Sequence, residues 1–158
     1  MRKDARKDDK CAFCKIVSGE TEASIVFEDG SSLVFLDSRP LFPGHCLLIP
    51  KAHYETLADV PEELAASLFL NAKGLSSVVQ KAMTAEGTFV AMNNVVSQSV
   101  PHFHIHIVPR KRKDGLRGFF WPRHKYESET EQAAVRDALI ARVEQEMDGH
   151  KSFGGTKK

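Results

Sequence analysis

Net charge, cysteine and long apolar runs are all scarce in this chain. A formal charge of +1 over 158 residues, 22 Lys and Arg against 21 Asp and Glu, gives no bulk attraction to nucleic acid or to a membrane surface. The three cysteines are an odd number, and two of them form a Cys11-x-x-Cys14 pair. That usage fits a reducing compartment and a metal or redox role better than a disulfide scaffold. The stretch from Met1 to Lys10 is almost all Lys, Arg and Asp. No run of roughly 7 to 15 apolar residues follows it, so it fails as a secretory signal. A cytoplasmic protein with no membrane partner is the expectation. There is no internal repeat and no low-complexity tract.

With 42% hydrophobic and 27% charged residues, the chain suits one soluble domain, expected over residues 11–150. Residues 1–10 read as a disordered arm, since mixed charge without apolar residues does not offset the entropy of ordering. Residues 151–158, with Gly-Gly and Lys-Lys, read as a loose tail. Short β-branched or aromatic runs at Ile25 to Phe27, Leu33 to Leu36, His45 to Ile49, Thr88 to Met92 and His102 to Val108 are separated by turn formers, which predicts five strands. A helix is predicted to start at Asp59-Val-Pro-Glu62 and to bury Leu64, Leu68, Leu75, Val79 and Met83. A second helix is signalled by Ser128-Glu-Thr-Glu131, then Val135, Leu139, Val143 and Met147, with Gly149 as its stop. The expected fold class is α+β: a five-stranded antiparallel sheet with helices on one side, one long and crossing, one C-terminal.

Residues 102 to 108 read His-Phe-His-Ile-His-Ile-Val. On a strand, neighbouring side chains point to opposite faces, so Phe103, Ile105 and Ile107 enter a core while His102, His104 and His106 line a wall. Successive imidazoles would stand roughly 6.7 Å apart at the backbone, a spacing that suits phosphates or a metal. Imidazole is a neutral nucleophile with an ordinary pKa of about 6.5, so it can attack phosphorus near neutral pH and split one hard displacement into two easier ones. His104, flanked by an imidazole on each side, is the best placed to attack.

The run His102 to Val108 followed by Pro109-Arg110 resembles the signature of the histidine triad (HIT) family. Cys11-Ala-Phe-Cys14-Lys-Ile, Phe35-Leu-Asp37, Pro43-Gly-His45, Leu48-Ile-Pro-Lys-Ala-His53 and Gln98-Ser-Val-Pro-His102 agree with it in order and spacing. The resemblance covers 11–110. It implies the HIT fold, a homodimer, and cleavage at the α-phosphate of a purine nucleotide conjugate, a dinucleoside polyphosphate or a nucleoside phosphoramidate, through a nucleotidyl-histidine. It further implies that His104 is the nucleophile, that His106 contacts phosphate, that Gln98, Ser99 and Asn93 bind nucleotide, and that Asp37 binds ribose hydroxyls. The loop before the triad is about two residues shorter than in many relatives and lacks their glycines, so Asn94 is the alternative to Asn93. Zinc-containing relatives imply a structural site built from Cys11, Cys14, His53 and His102. Cys46, inside an apolar run, reads as a core residue. The alternative function is a nucleotide-binding regulatory protein whose turnover is incidental.

Beyond the triad, the basic run from Arg110 to Arg117 precedes Phe119, Phe120 and Trp121. A solvated loop beside a phosphate site accounts for it with fewer assumptions than nucleic-acid binding. The aromatics are expected to cover the site mouth or the dimer partner. Phe69 and Leu70 lie off the main stripe of the long helix, and a second copy of the chain is expected to bury them.

Overall fold

The computed structural model describes residues 7–116 and 125–147. The segment holding Phe119, Phe120 and Trp121, most of the N-terminal arm, Gly149 and the tail lie outside the described residues. The chain divides into two compact units, 1–114 and 115–158. The first holds α1 (Ala12–Val17), β1 (Ile25–Glu28), β2 (Ser32–Leu36), β3 (Cys46–Pro50), α2 (Glu62–Ala82), β4 (Gly87–Ala91) and β5 (Ile105–Arg110). The second holds α3 (Glu129–Met147).

All neighbouring strands pair antiparallel in a five-stranded sheet of order β1-β2-β3-β5-β4. β3 is buried along its whole length because both of its faces are covered. On one face Val34, Cys46, Leu48, Ile105 and Ile107 pack with Phe103 and with Leu68, Ala72, Leu75 and Val79 of α2. On the other, Leu33, Phe35, Leu47 and Ile49 pack with Cys11, Phe13 and Cys14 at α1. Period-two alternation on the strands thus feeds two cores. The expectation of helices on one side is corrected by α1, six residues too short to show any apolar period in the sequence. Cys46 belongs to the α2-side core, as its neighbours suggested.

The start of α2 also differs from expectation. The Asp59 carboxylate accepts the Thr56 N–H at 2.9 Å and the Thr56 hydroxyl at 2.7 Å, closing a short 3-10 turn at Leu57–Asp59. Pro61 instead occupies the cap of α2 with no side-chain bond. A residue preceding proline is pushed out of the helical region, so Val60 is extended and Asp59 is too far back to cap the helix. At the far end Met83 caps the helix rather than continuing its buried stripe. In α3 the Ser128 hydroxyl accepts the Glu131 N–H at 3.1 Å as expected, while the Glu131 carboxylate takes the N–H of Glu127 at 2.6 Å.

Candidate active site

β5 begins at Ile105, three residues later than the triad pattern suggests. Before it, the Phe103 N–H goes to the Tyr54 carbonyl at 2.6 Å and the His102 N–H to the Val100 carbonyl at 2.8 Å. Those amides are spent outside the sheet, so His102 and His104 precede the strand. The three imidazoles do not form one wall: His102 turns toward the cysteines, while His104 and His106, with ring centroids 4.9 Å apart, face a pocket.

His104 and His45 each have a backbone partner of fixed polarity, and that decides which nitrogen carries the proton in them and, through His45, in His106. His104 Nδ1 lies 2.6 Å from the His102 carbonyl, which only accepts; Nδ1 therefore bears the hydrogen and Nε2 keeps its lone pair. The Leu41 N–H, which only donates, points at His45 Nδ1 at 3.1 Å. His45 Nε2–H then donates to His106 Nδ1 at 2.9 Å, leaving the hydrogen of His106 on Nε2. Within one row of rings, His104 is a base and His106 a donor. Burial pushes the pKa of His104 below its ordinary value, against the hydrogen bond to His102 and the charge of Asp37. Burial and the neighbouring His104 and His45 carry His106 down to about 4. Both shifts favour the neutral ring, the form that offers one lone pair and one N–H donor.

His45 is the member that sequence reasoning left without a role, although the Pro43-Gly-His45 motif contained it. The loop joining β2 to β3 places it: the Asp37 N–H bonds the His45 carbonyl at 2.9 Å and the His45 N–H bonds the Phe42 carbonyl at 3.0 Å. Gly44 makes the turn at φ 92°, and a β-carbon there would sit 2.5 Å from Met83 Cγ. Asp37 Oδ2 stands 3.7 Å from His45 Nε2, while Oδ1 accepts the Arg39 N–H at 2.8 Å.

The pocket encloses about 600 Å³, within the range of small-molecule sites. Phe13, Ile16, Phe35, Leu36 and Leu47 supply apolar lining; Asp37, Arg39, Ser99, His104 and His106 supply polar groups. Of the expected nucleotide contacts, Asp37 and Ser99 are there with the two histidines. Asn93, Asn94 and Gln98 are not among the lining residues. The Gln98 amide donates to the Glu55 carbonyl at 2.6 Å and accepts the Val95 N–H at 2.9 Å. Asn94 accepts the Leu57 N–H at 2.8 Å, and Asn93 donates to the Ser97 carbonyl at 3.2 Å. These amides hold the loop together, and they do so without glycine: Val95 and Ser97 take φ of 68° and 62°. A larger groove of about 860 Å³ runs along the exposed face of α3, lined by Tyr126, Leu139 and Ile140 among others, and holds none of the triad.

Cys11, Cys14, His53 and His102 offer four ligand atoms within 4.8 Å of one another, and the cluster can hold a metal. Tetrahedral zinc with ordinary bond lengths separates a sulfur from a nitrogen ligand by roughly 3.6 Å. Cys11 Sγ and Cys14 Sγ lie 3.4 and 3.7 Å from His102 Nδ1, and Cys14 Sγ lies 3.4 Å from His53 Nδ1. His102 Nε2–H is held by the Pro50 carbonyl at 2.8 Å, which turns the Nδ1 lone pair toward the sulfurs. The residues fit zinc. Asp37, His45 and His106 also cluster, yet the Leu41 N–H keeps the proton of neutral His45 on the nitrogen a metal would need, so a hydrogen-bonded relay is the better description.

Residues 18–113 match the HIT domain family model. The chain belongs to the HIT family. Among HIT relatives, adenylylsulfatase HINT3 of Arabidopsis thaliana is 39% identical over 67% of this chain, and the match spans 55% of the plant protein's own length. Adenosine 5'-monophosphoramidase HNT1 of Saccharomyces cerevisiae is 37% identical over 73% of each chain. Of solved structures, a Zn-bound histidine triad family protein of Mycobacterium smegmatis superposes with a TM-score of 0.65 at 34% identity, covering 86% of this chain and 96% of that one. Among the described residues, no helix of this HIT protein is long and apolar enough to cross a membrane.

Proposed function

We propose that the chain is a nucleotide hydrolase or transferase that cleaves the α-phosphate of a purine nucleotide conjugate through a nucleotidyl-histidine. The observation that carries this reading is the hydrogen-bond pattern around two neighbouring rings: the His102 carbonyl at His104 Nδ1 leaves Nε2 to attack, and the Leu41 amide, acting through His45, leaves His106 Nε2–H for a phosphate oxygen. Attack by His104 Nε2 forms the N–P bond as the bond from phosphorus to the leaving group breaks. Water then attacks the same phosphorus, the imidazole departs, and the nucleoside monophosphate is released. As positive charge develops on the attacking ring, the His102 carbonyl accepting from Nδ1–H stabilises it. The His106 donor and the Ser99 hydroxyl meet charge developing on the phosphoryl oxygens.

The apolar side of the pocket suits a nucleobase, and Asp37 Oδ2 suits a ribose hydroxyl. Both enzyme-named relatives carry an adenosine 5'-phosphoryl group in their names, joined to different leaving groups. That supports a site that grips the nucleotide and tolerates variety beyond phosphorus, so dinucleoside polyphosphates and nucleoside phosphoramidates are both candidates. Bound zinc would hold α1 against the segment preceding β5 through Cys11, Cys14, His53 and His102, supplying structural cross-linking rather than chemistry at phosphorus. A homodimer completes the proposal. The test is a panel of dinucleoside polyphosphates, adenosine phosphoramidate, adenylyl sulfate and aminoacyl adenylates with purified protein. Release of nucleoside monophosphate from at least one is expected. Nucleotide binding without turnover of any would favour the regulatory alternative.

A further inference from the structure

We propose that Phe13 is a positioning residue that transmits the state of the Cys11/Cys14/His53/His102 cluster to the His104 ring. The inference rests on His104 as nucleophile and on zinc at the cluster. Phe13 sits in the chain between the two cysteines, on the first turn of α1, and is buried at 8% exposure. Its ring meets His104 edge to face at 5.3 Å and 88°, and His102 at 5.8 Å and 65°. Behind it, Phe35 of β2 makes a third edge contact at 5.4 Å, so the ring is braced from the sheet. A planar ring wedged in this way restricts rotation of His104 about its side-chain bonds, because edge-to-face packing is directional.

A second link runs through His102. Its Nδ1 faces the cysteine sulfurs, while its own carbonyl accepts His104 Nδ1–H at 2.6 Å. Ligation of the ring and orientation of that carbonyl belong to one residue. A metal at the cluster therefore fixes both groups that hold the nucleophile: the carbonyl that sets its tautomer and the phenyl that sets its plane. Without it, the two thiols meet the imidazoles only through weak hydrogen bonds to sulfur, α1 is held by its packing on the sheet alone, and the Nδ1–H tautomer of His104 loses part of its support. A nucleophile displaced by about 1 Å costs on the order of a hundredfold in rate.

The test uses the full chain labelled with 15N at histidine, read by long-range nitrogen–proton correlation during removal of zinc by a chelator and its return. In zinc-loaded protein His104 should give the pattern of a pure Nδ1–H tautomer, and chelation should shift it toward a mixture that zinc restores. Phe13→Leu, which keeps all four ligands, should retain one zinc per chain and a single cooperative melting transition, at a temperature lowered by the lost packing. It should nevertheless show the mixed tautomer, with kcat at saturating substrate down roughly 10- to 100-fold; KM should rise as well, because Phe13 also lines the apolar side of the pocket. A His104 signal unmoved by zinc removal overturns the coupling, and a Phe13→Leu chain with parental kcat and tautomer overturns the role of Phe13. If no substrate is turned over, the function falls, but the tautomer measurement still decides this inference. If Phe13→Leu does not fold, Phe13→Met, an adaptable side chain that also lacks the ring, is read by the same tautomer measurement, and a parental tautomer there overturns the role of Phe13.

Discussion

His45, 3% exposed and outside the pocket lining, illustrates how a residue can set the protonation of one that faces the pocket. Its two nitrogens are bound at opposite ends, by the Leu41 amide and by His106, so the direction of the proton in the His45–His106 pair is dictated from the backbone. Replacing it by leucine keeps the volume roughly and removes the donor. His106 then protonates on either nitrogen, and its Nε2–H is no longer assured. We predict a fall in kcat of roughly tenfold or more for His45→Leu, with KM changed less, measured by steady-state kinetics on the best substrate of the panel. Parental kcat would contradict the relay. At this scale the sequence made much legible: alternation around His104 singled it out as the proposed nucleophile, and the resemblance to zinc-containing relatives named the four residues that the structure brings together in one cluster. The roles proposed for His45 and Phe13 rest on ring-to-ring contacts between residues 61 and 91 positions apart, which no local pattern encodes.

Elements were legible where an apolar period had room to repeat. β2, β3 and the body of α2 lie where alternation and helical spacing put them, and Leu68, Leu75 and Val79 are buried as the stripe implied. α1 was not legible, because its stability comes from Phe13 and Cys14 packing into the sheet rather than from hydrogen bonds and propensity within a helix of six residues. The start of β5 was misplaced because strand alternation continues through His102 to His104 while the backbone amides there bond to Tyr54 and Val100. The loop from Asp37 to His45 also depends on its surroundings, since Gly44 needs both positive φ and the absence of a β-carbon against Met83. Gly44→Ala combines left-handed strain with a clash against a flexible side chain, so a loss of about 1–3 kcal/mol is expected. Chemical denaturation measures it; parental stability would show that the turn relaxes at no cost.

On the scale of the whole molecule, titration and association follow from buried groups and uncovered surface. Burial works against ionised Asp29, but the N–H groups of Ser31 and Ser32 and the amide of Asn71 hold its pKa down at about 2. Its contribution is present above the ordinary carboxylate value near 3.9 and is lost as pH falls through 2. His106, lowered to about 4, is neutral when folded but binds a proton when unfolded below about 6.5. Its contribution is complete above 6.5 and declines as pH falls to 4. Both signs agree: stability should decrease monotonically from about pH 6.5 to pH 2, with separate histidine and carboxylate limbs in a series of denaturation curves. Stability that rises on acidification through this range would contradict both. As for association, β4 is an edge strand and β1 the other, while β5 is paired on both sides. Phe69, Leu70 and Val78 of α2 are 44%, 68% and 55% exposed. A two-fold partner that covers them is the proposed state, and Phe69→Glu, which places a charge in that face, should shift the sedimentation of a dimer toward the monomer. A chain already monomeric at micromolar concentration with full activity would contradict the dimer.

The central claim, covalent attack by His104, has a direct measurement. Rapid acid-free quenching of the parent protein during turnover, followed by mass analysis of its peptides, should find the nucleotidyl group on the peptide containing His104. His104→Ala should show no such adduct, still bind nucleotide, and lose about a thousandfold or more in turnover. Turnover near the parental rate in His104→Ala, or inversion rather than retention of configuration at a chiral α-phosphorothioate, would contradict the two-step mechanism.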